Sequence, residues 1–235
     1  MIKLVLFDGF GTLFDSRGLW KRASRLVLES VGFNPDKLVD EFMLIWSEEW
    51  NRIVFESSKG DFKTGFEVTV ESIIGSLSRV GVTNGFDARE LARRAIQIYK
   101  DYTRLADGAE ETLEWLKDRG VKTGLVTDAD LDLARTVIER FRIGEKMDII
   151  LISDVVRAWK PNPKAVLVAL ERLGVEPSET LMVGDSLFDI LAAKAAGVFS
   201  AWIVGELPPP SVRPDYVIRE IREVKDIVLK RKGNT

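Results

Sequence analysis

Residues 3–15, KLVLFDGFGTLFD, decide the fold. The apolar run 3–7 lacks polar alternation, and such a run reads as a strand buried on both faces of a parallel sheet. Asp8 ends it with a charge, and glycines at 9 and 11 let the chain turn before Thr12. Open α/β sheets bind ligands where the carboxyl ends of their strands meet the following turns, so Asp8 and Thr12 are candidates for chemistry. Phe10 complicates the reading, because the side chain two residues after Asp8 has no proton to give.

Four more runs of the same kind lie at 122–127, 149–153, 180–183 and 199–204. Amphipathic helical patterns at 108–119, 131–141, 163–173 and 189–196 fill the gaps, and Gly120, Gly174 and Gly197 stand where helices end. Strands alternating with helices predict an α/β fold, a doubly wound, Rossmann-like parallel sheet. Between 15 and 101 the pattern changes. Helical stretches at 19–31, 36–57, 62–80 and 87–102 are separated by GFNPD, SSKGD and GVTNGF, with no strand of the first kind among them. The expected organisation is a core of residues 1–14 and 102–235, interrupted by a helical cap of residues 15–101. Trp20, Phe42, Trp46, Trp50, Phe62 and Phe66 read as packing residues of that cap, and Arg17, Lys21, Arg22 and Arg25 as a solvated face.

Composition removes several classes of chemistry. The chain has 235 residues with no Cys and no His, so disulfides, Cys/His zinc sites, thiol nucleophiles and histidine-based triads are all excluded. Thirty-four basic against 37 acidic residues leave a net charge of -3, which gives no field for nucleic acid. The KRKGNT tail reads as a solvated end rather than a binding arm. The first apolar run is too short for a signal segment or a membrane span, so a cytoplasmic protein with no membrane and no nucleic-acid partner is expected. Oligomeric state is not legible.

Polar residues recur at the strand ends. Asp8 follows the first strand and Thr127 ends the second. Lys160 stands in the loop after the third strand, and Asp185 follows the fourth in VGDSLFD. Together FDGFGTLFD, Thr127 in GLVTD, Lys160 in KPNP and GDSLFD resemble the four ordered motifs of the haloacid dehalogenase-like (HAD) hydrolase superfamily. The insertion is placed like that family's C1 cap.

The resemblance implies covalent catalysis on a small anionic substrate. Asp8 is then the nucleophile, Thr12, Thr127 and Asp128 bind the anion, and Lys160 orients Asp8 and neutralises charge. In the family's phosphatases Mg²⁺ is held by residues matching Asp8, the backbone carbonyl of Phe10 and Asp185, with Asp189 completing the acidic site. Those phosphatases carry an acid/base aspartate where this chain has Phe10. An alkoxide leaving group gains from such an acid, whereas a halide needs no proton. The first motif is similar to that of L-2-haloacid dehalogenases, which have an aromatic residue there. Asp185 and Asp189 point the other way, because a cluster of carboxylates must raise its pKa values or recruit a cation. The dehalogenases also use a tyrosine shortly after the lysine, which KPNPKAV does not offer. The expectation is a Mg²⁺-dependent phosphatase, with an L-2-haloacid dehalogenase and a catalytically impaired phospho-ligand binding protein as alternatives.

Overall fold

The computed structural model describes residues 1–207 and 209–231. The chain opens in β1 (Leu4–Phe7), whose four side chains are fully enclosed. After the glycine turn come a short β2 (Phe14–Asp15) and four helices, α1 (Leu19–Ser30), α2 (Pro35–Ser57), α3 (Gly65–Arg79) and α4 (Ala88–Tyr102). Asn34 caps α2 by accepting from the Asp36 N–H, Thr64 and Glu67 form a reciprocal capping box on α3, and Asp87 caps α4. Each cap satisfies backbone donors that a helix start leaves unpaired. β3 (Arg104–Leu105) then pairs antiparallel with β2, so the insertion leaves and re-enters the core through a two-stranded ribbon.

From there helix and strand alternate through α5 (Ala109–Lys117), β4 (Lys122–Thr127), α6 (Leu131–Arg140), β5 (Ile149–Ile152), α7 (Ser153–Val156) and α8 (Lys164–Leu173). β6 (Thr180–Gly184), α9 (Leu187–Ala195), β7 (Phe199–Ile203), β8 (Tyr216–Ile218) and α10 (Val224–Lys230) complete the chain. The six core strands are all parallel, in the spatial order β5, β4, β1, β6, β7, β8. From β1 the chain winds outward on one side, then returns to β6 and winds outward on the other. The reversal falls between β1 and β6, where a doubly wound sheet opens its ligand crevice.

Alternate side chains of each strand feed two apolar layers. Val5, Phe7, Leu125 and Val183 pack under α5, α6 and α10, while Leu4, Leu6, Val126 and Met182 pack under α8 and α9. The insertion has its own core around Val27, Phe42, Trp46 and Ile73. Trp20 and Phe66 join it as expected, but Trp50 and Phe62 pack instead with Trp159 and Phe188 of the core domain, so these two aromatics join the cap to its base. On the first cap helix, Lys21 and Arg25 form exposed pairs with Asp40 and Asp36, and Arg22 stacks on Tyr102.

The sheet is wider than the sequence pattern indicates, since β8 and α10 were not anticipated. Arg231 of the tail is half-buried and folds back on the core: its guanidinium lies 3.4 Å from the Phe199 ring centre, and its Nε donates to Tyr216 Oη. The rest of the tail, residues 232–235, lies outside the described residues. Among the described residues no helix is long and apolar enough to cross a membrane.

Candidate active site

Four segment ends converge at the carboxyl edge of the central strands. Asp8 follows β1, Thr127 closes β4, Asp185 follows β6 and Asp189 sits in the first turn of α9. Lys160 reaches them from the loop between α7 and α8. Its ammonium contacts the Asp8 carboxylate, donates to Asp189 Oδ1 at 2.6 Å and donates to the Val126 carbonyl at 3.2 Å. Its backbone N–H donates to Asp128 Oδ2 at 3.1 Å, which draws the loop toward β4.

Glycines set these distances. A Cβ on Gly11, whose φ is +91°, would overlap the Asp185 carboxylate. Cβ atoms on Gly9 and Gly184 would overlap Thr127 Oγ1 and the Asp189 carboxylate. The turn and strand ends therefore close on their polar neighbours only because these positions have no side chain.

Asp189 is doubly committed. Its Oδ1 takes Lys160, while its Oδ2 accepts the Ser186 N–H at 3.0 Å and the Ser186 hydroxyl at 2.6 Å. Ser186 accepts the Asp189 N–H in return, a capping box on α9. S-x-x-D before an apolar helix signals such a box, and GDSLFD contains it. Trp202 was not anticipated either: its Nε1 donates to the Asp185 carbonyl at 3.0 Å and fixes the backbone past β6.

Charge is out of balance here. Burial pushes the Asp185 carboxyl up to about 8, and Asp8 and Asp189 add to the shift. Burial likewise raises Asp8, with Lys160 pulling it back and Asp189 pushing it up. Asp128 reaches about 8, first through burial. Burial opposes the charge on Lys160, yet Asp189, Asp8 and Asp128 outweigh it and hold the ammonium charged. One cation thus faces four carboxylates.

A hard divalent cation fits this imbalance. Asp8, Asp185 and Asp189 each bring one oxygen to within 4.8 Å of the others, all three side chains are buried, and the donor set is oxygen alone. Asp189 completes the acidic set but is the most engaged of the three, its Oδ1 accepting from Lys160 and its Oδ2 from Ser186, which leaves Asp185 the freest to coordinate. The hydroxyls of Thr12 and Thr127 are buried with no hydrogen-bond partner among the described residues. Buried hydroxyls usually have one, so a bound anion is a natural complement. The Phe10 side chain packs on aromatic neighbours, its ring centre 5.5 Å from that of Phe14 and 5.9 Å, edge on, from that of Tyr99 of α4.

Comparison with known proteins bears on the family and the fold. Residues 2–197 match the model of the haloacid dehalogenase-like hydrolase family. A protein named as pyrophosphatase PpaX from Clostridium perfringens is 27% identical over 234 residues, covering 98% of this chain and 99% of its own. Phosphoglycolate phosphatase 1 of Pseudomonas aeruginosa is 30% identical over 200 residues, covering 83% of this chain and 67% of its own. The L-2-haloacid dehalogenase of Xanthobacter autotrophicus superposes with a TM-score of 0.77 at 21% identity, covering 100% of both chains. At that identity the likeness speaks for the fold alone.

Proposed function

The chain belongs to the haloacid dehalogenase-like hydrolase family, and from that premise we propose that it is a Mg²⁺-dependent phosphatase acting on a small phosphorylated metabolite. The observation that carries this reading is Asp185, a carboxylate buried beside Asp8 with no cationic side chain bonded to it among the described residues. Expulsion of a halide needs neither a proton nor a metal, so the dehalogenase reading leaves the uncompensated charge of Asp185 without a purpose, whereas Mg²⁺ and a phosphoryl group give it one. The relatives named as phosphatases support the same reading.

In the proposed reaction Asp8 attacks phosphorus, the bond from phosphorus to the leaving oxygen breaks, and that oxygen departs with the electron pair. Water then hydrolyses the aspartyl phosphate and restores Asp8. Lys160 aligns the nucleophile and offsets its charge, and the Thr12 and Thr127 hydroxyls donate to phosphoryl oxygens. Asp8, Asp185 and the Phe10 carbonyl would hold Mg²⁺, which supplies positive charge for the phosphoryl oxygens. Asp189 contributes by holding Lys160 in line. Phe10 leaves the departing oxygen without a positioned acid, which favours substrates whose leaving group is already a stable anion.

We assign residues 15–101 to the cap and residues 1–14 with 102–235 to the core. A cytoplasmic setting fits a chain without cysteine. Phe10 is the one feature that favours dehalogenation, and one experiment separates the readings. The protein is incubated with p-nitrophenyl phosphate with and without Mg²⁺, and with L-2-chloropropionate while chloride is measured. Phosphate release abolished by EDTA and by Asp8→Asn is the expected result. Metal-independent chloride release would overturn the phosphatase reading, and silence in both assays with anion binding retained would mark a binding protein.

A further inference from the structure

Segment 58–65 of the cap rests on core residues 154–162, which run from α7 into the loop that carries Lys160. Trp159 Nε1 donates to the Lys63 carbonyl at 2.8 Å, and Asn162 Nδ2 donates to the Ser58 carbonyl at 3.3 Å. Among the described residues three core carboxylates reach the cap: Glu206 accepts the Gly18 N–H, Asp132 pairs with Lys100, and Asp154 sits at the joint beside Trp159. The Oδ1 of Asp154 accepts the Gly65 N–H at 2.8 Å, and its Oδ2 accepts the Leu131 N–H at 3.1 Å. Gly65 is the first residue of α3 in the cap, and Leu131 is the first residue of α6 in the core. Asp154 therefore joins the N-termini of two helices from different subdomains, each of which presents unpaired N–H groups and partial positive charge.

Both helices already have caps of their own. Thr64 and Glu67 serve α3, and Asp130 serves α6 by accepting from Asp132 and Leu133. Asp154 is thus not needed to start either helix; what it adds is the link between them. The cap side is shaped for that link, because a Cβ on Gly65 would overlap the backbone nitrogen of Asp130. Beside it Trp159, with no exposed surface, plugs into the cap against Ile53, Val54 and Val68, and the next residue is Lys160. Lifting segment 58–65 would free Gly65 from Asp154 and Lys63 from Trp159 together, and would loosen the backbone that presents Lys160 to Asp8.

We propose that Asp154 is a positioning residue that closes the cap over Asp8 and couples that closure to the Lys160 loop. It touches no reacting atom; it acts through Gly65 and through α7, which leads directly into the Lys160 loop. An open cap binds substrate less well, while a substrate-filled, closed enzyme still turns over at the normal rate.

The test uses the full chain with Asp154→Asn, whose amide turns a donor toward one of the two N–H groups. Hydrogen exchange is followed in peptides covering 58–68 and, as a core reference, 109–117. Kinetics are measured with p-nitrophenyl phosphate and Mg²⁺. Expected are faster exchange at 58–68 alone and a KM raised about tenfold with kcat within about twofold, the pattern of lost uniform binding. Gly65→Ala wedges the same joint open from the cap side, its Cβ meeting the backbone of Asp130, and should shift exchange at 58–68 and KM in the same direction. Unchanged exchange at 58–68 in both variants would overturn the proposal. So would a fall in kcat at constant KM with lost protection at 109–117, which marks a residue that merely holds the core together. The kinetic arm rests on the phosphatase reading and the exchange arm does not. A wild type silent toward the phosphate ester therefore defeats that reading while exchange still decides this one.

Discussion

Lys160 donates to Asp189 Oδ1 at 2.6 Å where neither side chain meets water to any extent, their side chains being 4% and 1% exposed. The pair places the ammonium beside the carboxylate of Asp8, the proposed nucleophile, so Asp189 acts on it through Lys160. Removing one member of a buried pair leaves an uncompensated charge and typically costs about 3 to 5 kcal/mol. Asp189→Asn keeps one acceptor but turns a donor toward Ser186 or Lys160. A loss of about 3 kcal/mol in urea unfolding is expected, near the low end of that range, together with lost turnover. A loss below about 1 kcal/mol would show that Lys160 is held by Asp8 and the Val126 carbonyl alone.

Acidic groups at the site also predict how metal-free stability follows pH. Asp8, Asp128 and Asp185 all bind their protons more tightly in the fold than the ordinary carboxylate value of 3.8 allows, Asp128 up to about 8. Their contribution to stability is complete below the ordinary value and is lost as pH rises toward about 8, because the unfolded chain then sheds protons that the fold retains. Mg²⁺ binds the deprotonated form, so the gain in Tm on adding Mg²⁺ should grow between about pH 6 and 8. Thermal melts in EDTA and in Mg²⁺ across that range check it. A gain independent of pH would place the ion away from these carboxylates.

Much of this was legible because charge and apolarity alternate so sharply along the core. Asp8, Thr127 and Asp185 each end or follow a run that has no other reason to stop there, and Lys160 sits among prolines that cannot extend a helix. β8 escaped notice because Tyr216–Ile218 is a three-residue edge strand with Val217 exposed, leaving too short a run to read as strand. The double commitment of Asp189 was hidden because residue spacing tells which groups gather, not which oxygen each one uses. Asp154 and Trp159 were hidden for a related reason: their partners, Gly65 and Lys63, lie about 90 residues away in sequence.

Phe10 gives the sharpest prediction about chemistry. Phe10→Asp would restore a proton donor two residues after the nucleophile and remove the ring that packs on Phe14 and Tyr99. Turnover of alkyl phosphates should rise by about 10²-fold, the lower range for a positioned general acid. Stability should fall by about 2 kcal/mol, less than for a fully buried phenylalanine because the site is only half enclosed. Steady-state rates and urea unfolding on the same preparation read both effects. A stable variant with no gain on alkyl phosphates would mean that the crevice was shaped around another leaving group.

Thr127 separates a ligand-binding hydroxyl from a structural one. Its Oγ1 is buried without a partner among the described residues, and it lies so close to Gly9 that a Cβ there would overlap it. Thr127→Val keeps the β-branched shape that suits the end of β4 while removing the unpaired oxygen. Deleting a buried, unsatisfied polar atom recovers its desolvation penalty, so stability should rise by about 1 kcal/mol. Affinity for inorganic phosphate should fall about tenfold at the same time, since a hydrogen bond to a charged group is worth more than a neutral one. Urea unfolding without ligand and thermal shift against phosphate measure the two effects separately. Opposite signs mark a hydroxyl kept for the anion; a loss in stability with unchanged phosphate affinity would assign Thr127 to the fold and remove it from the site.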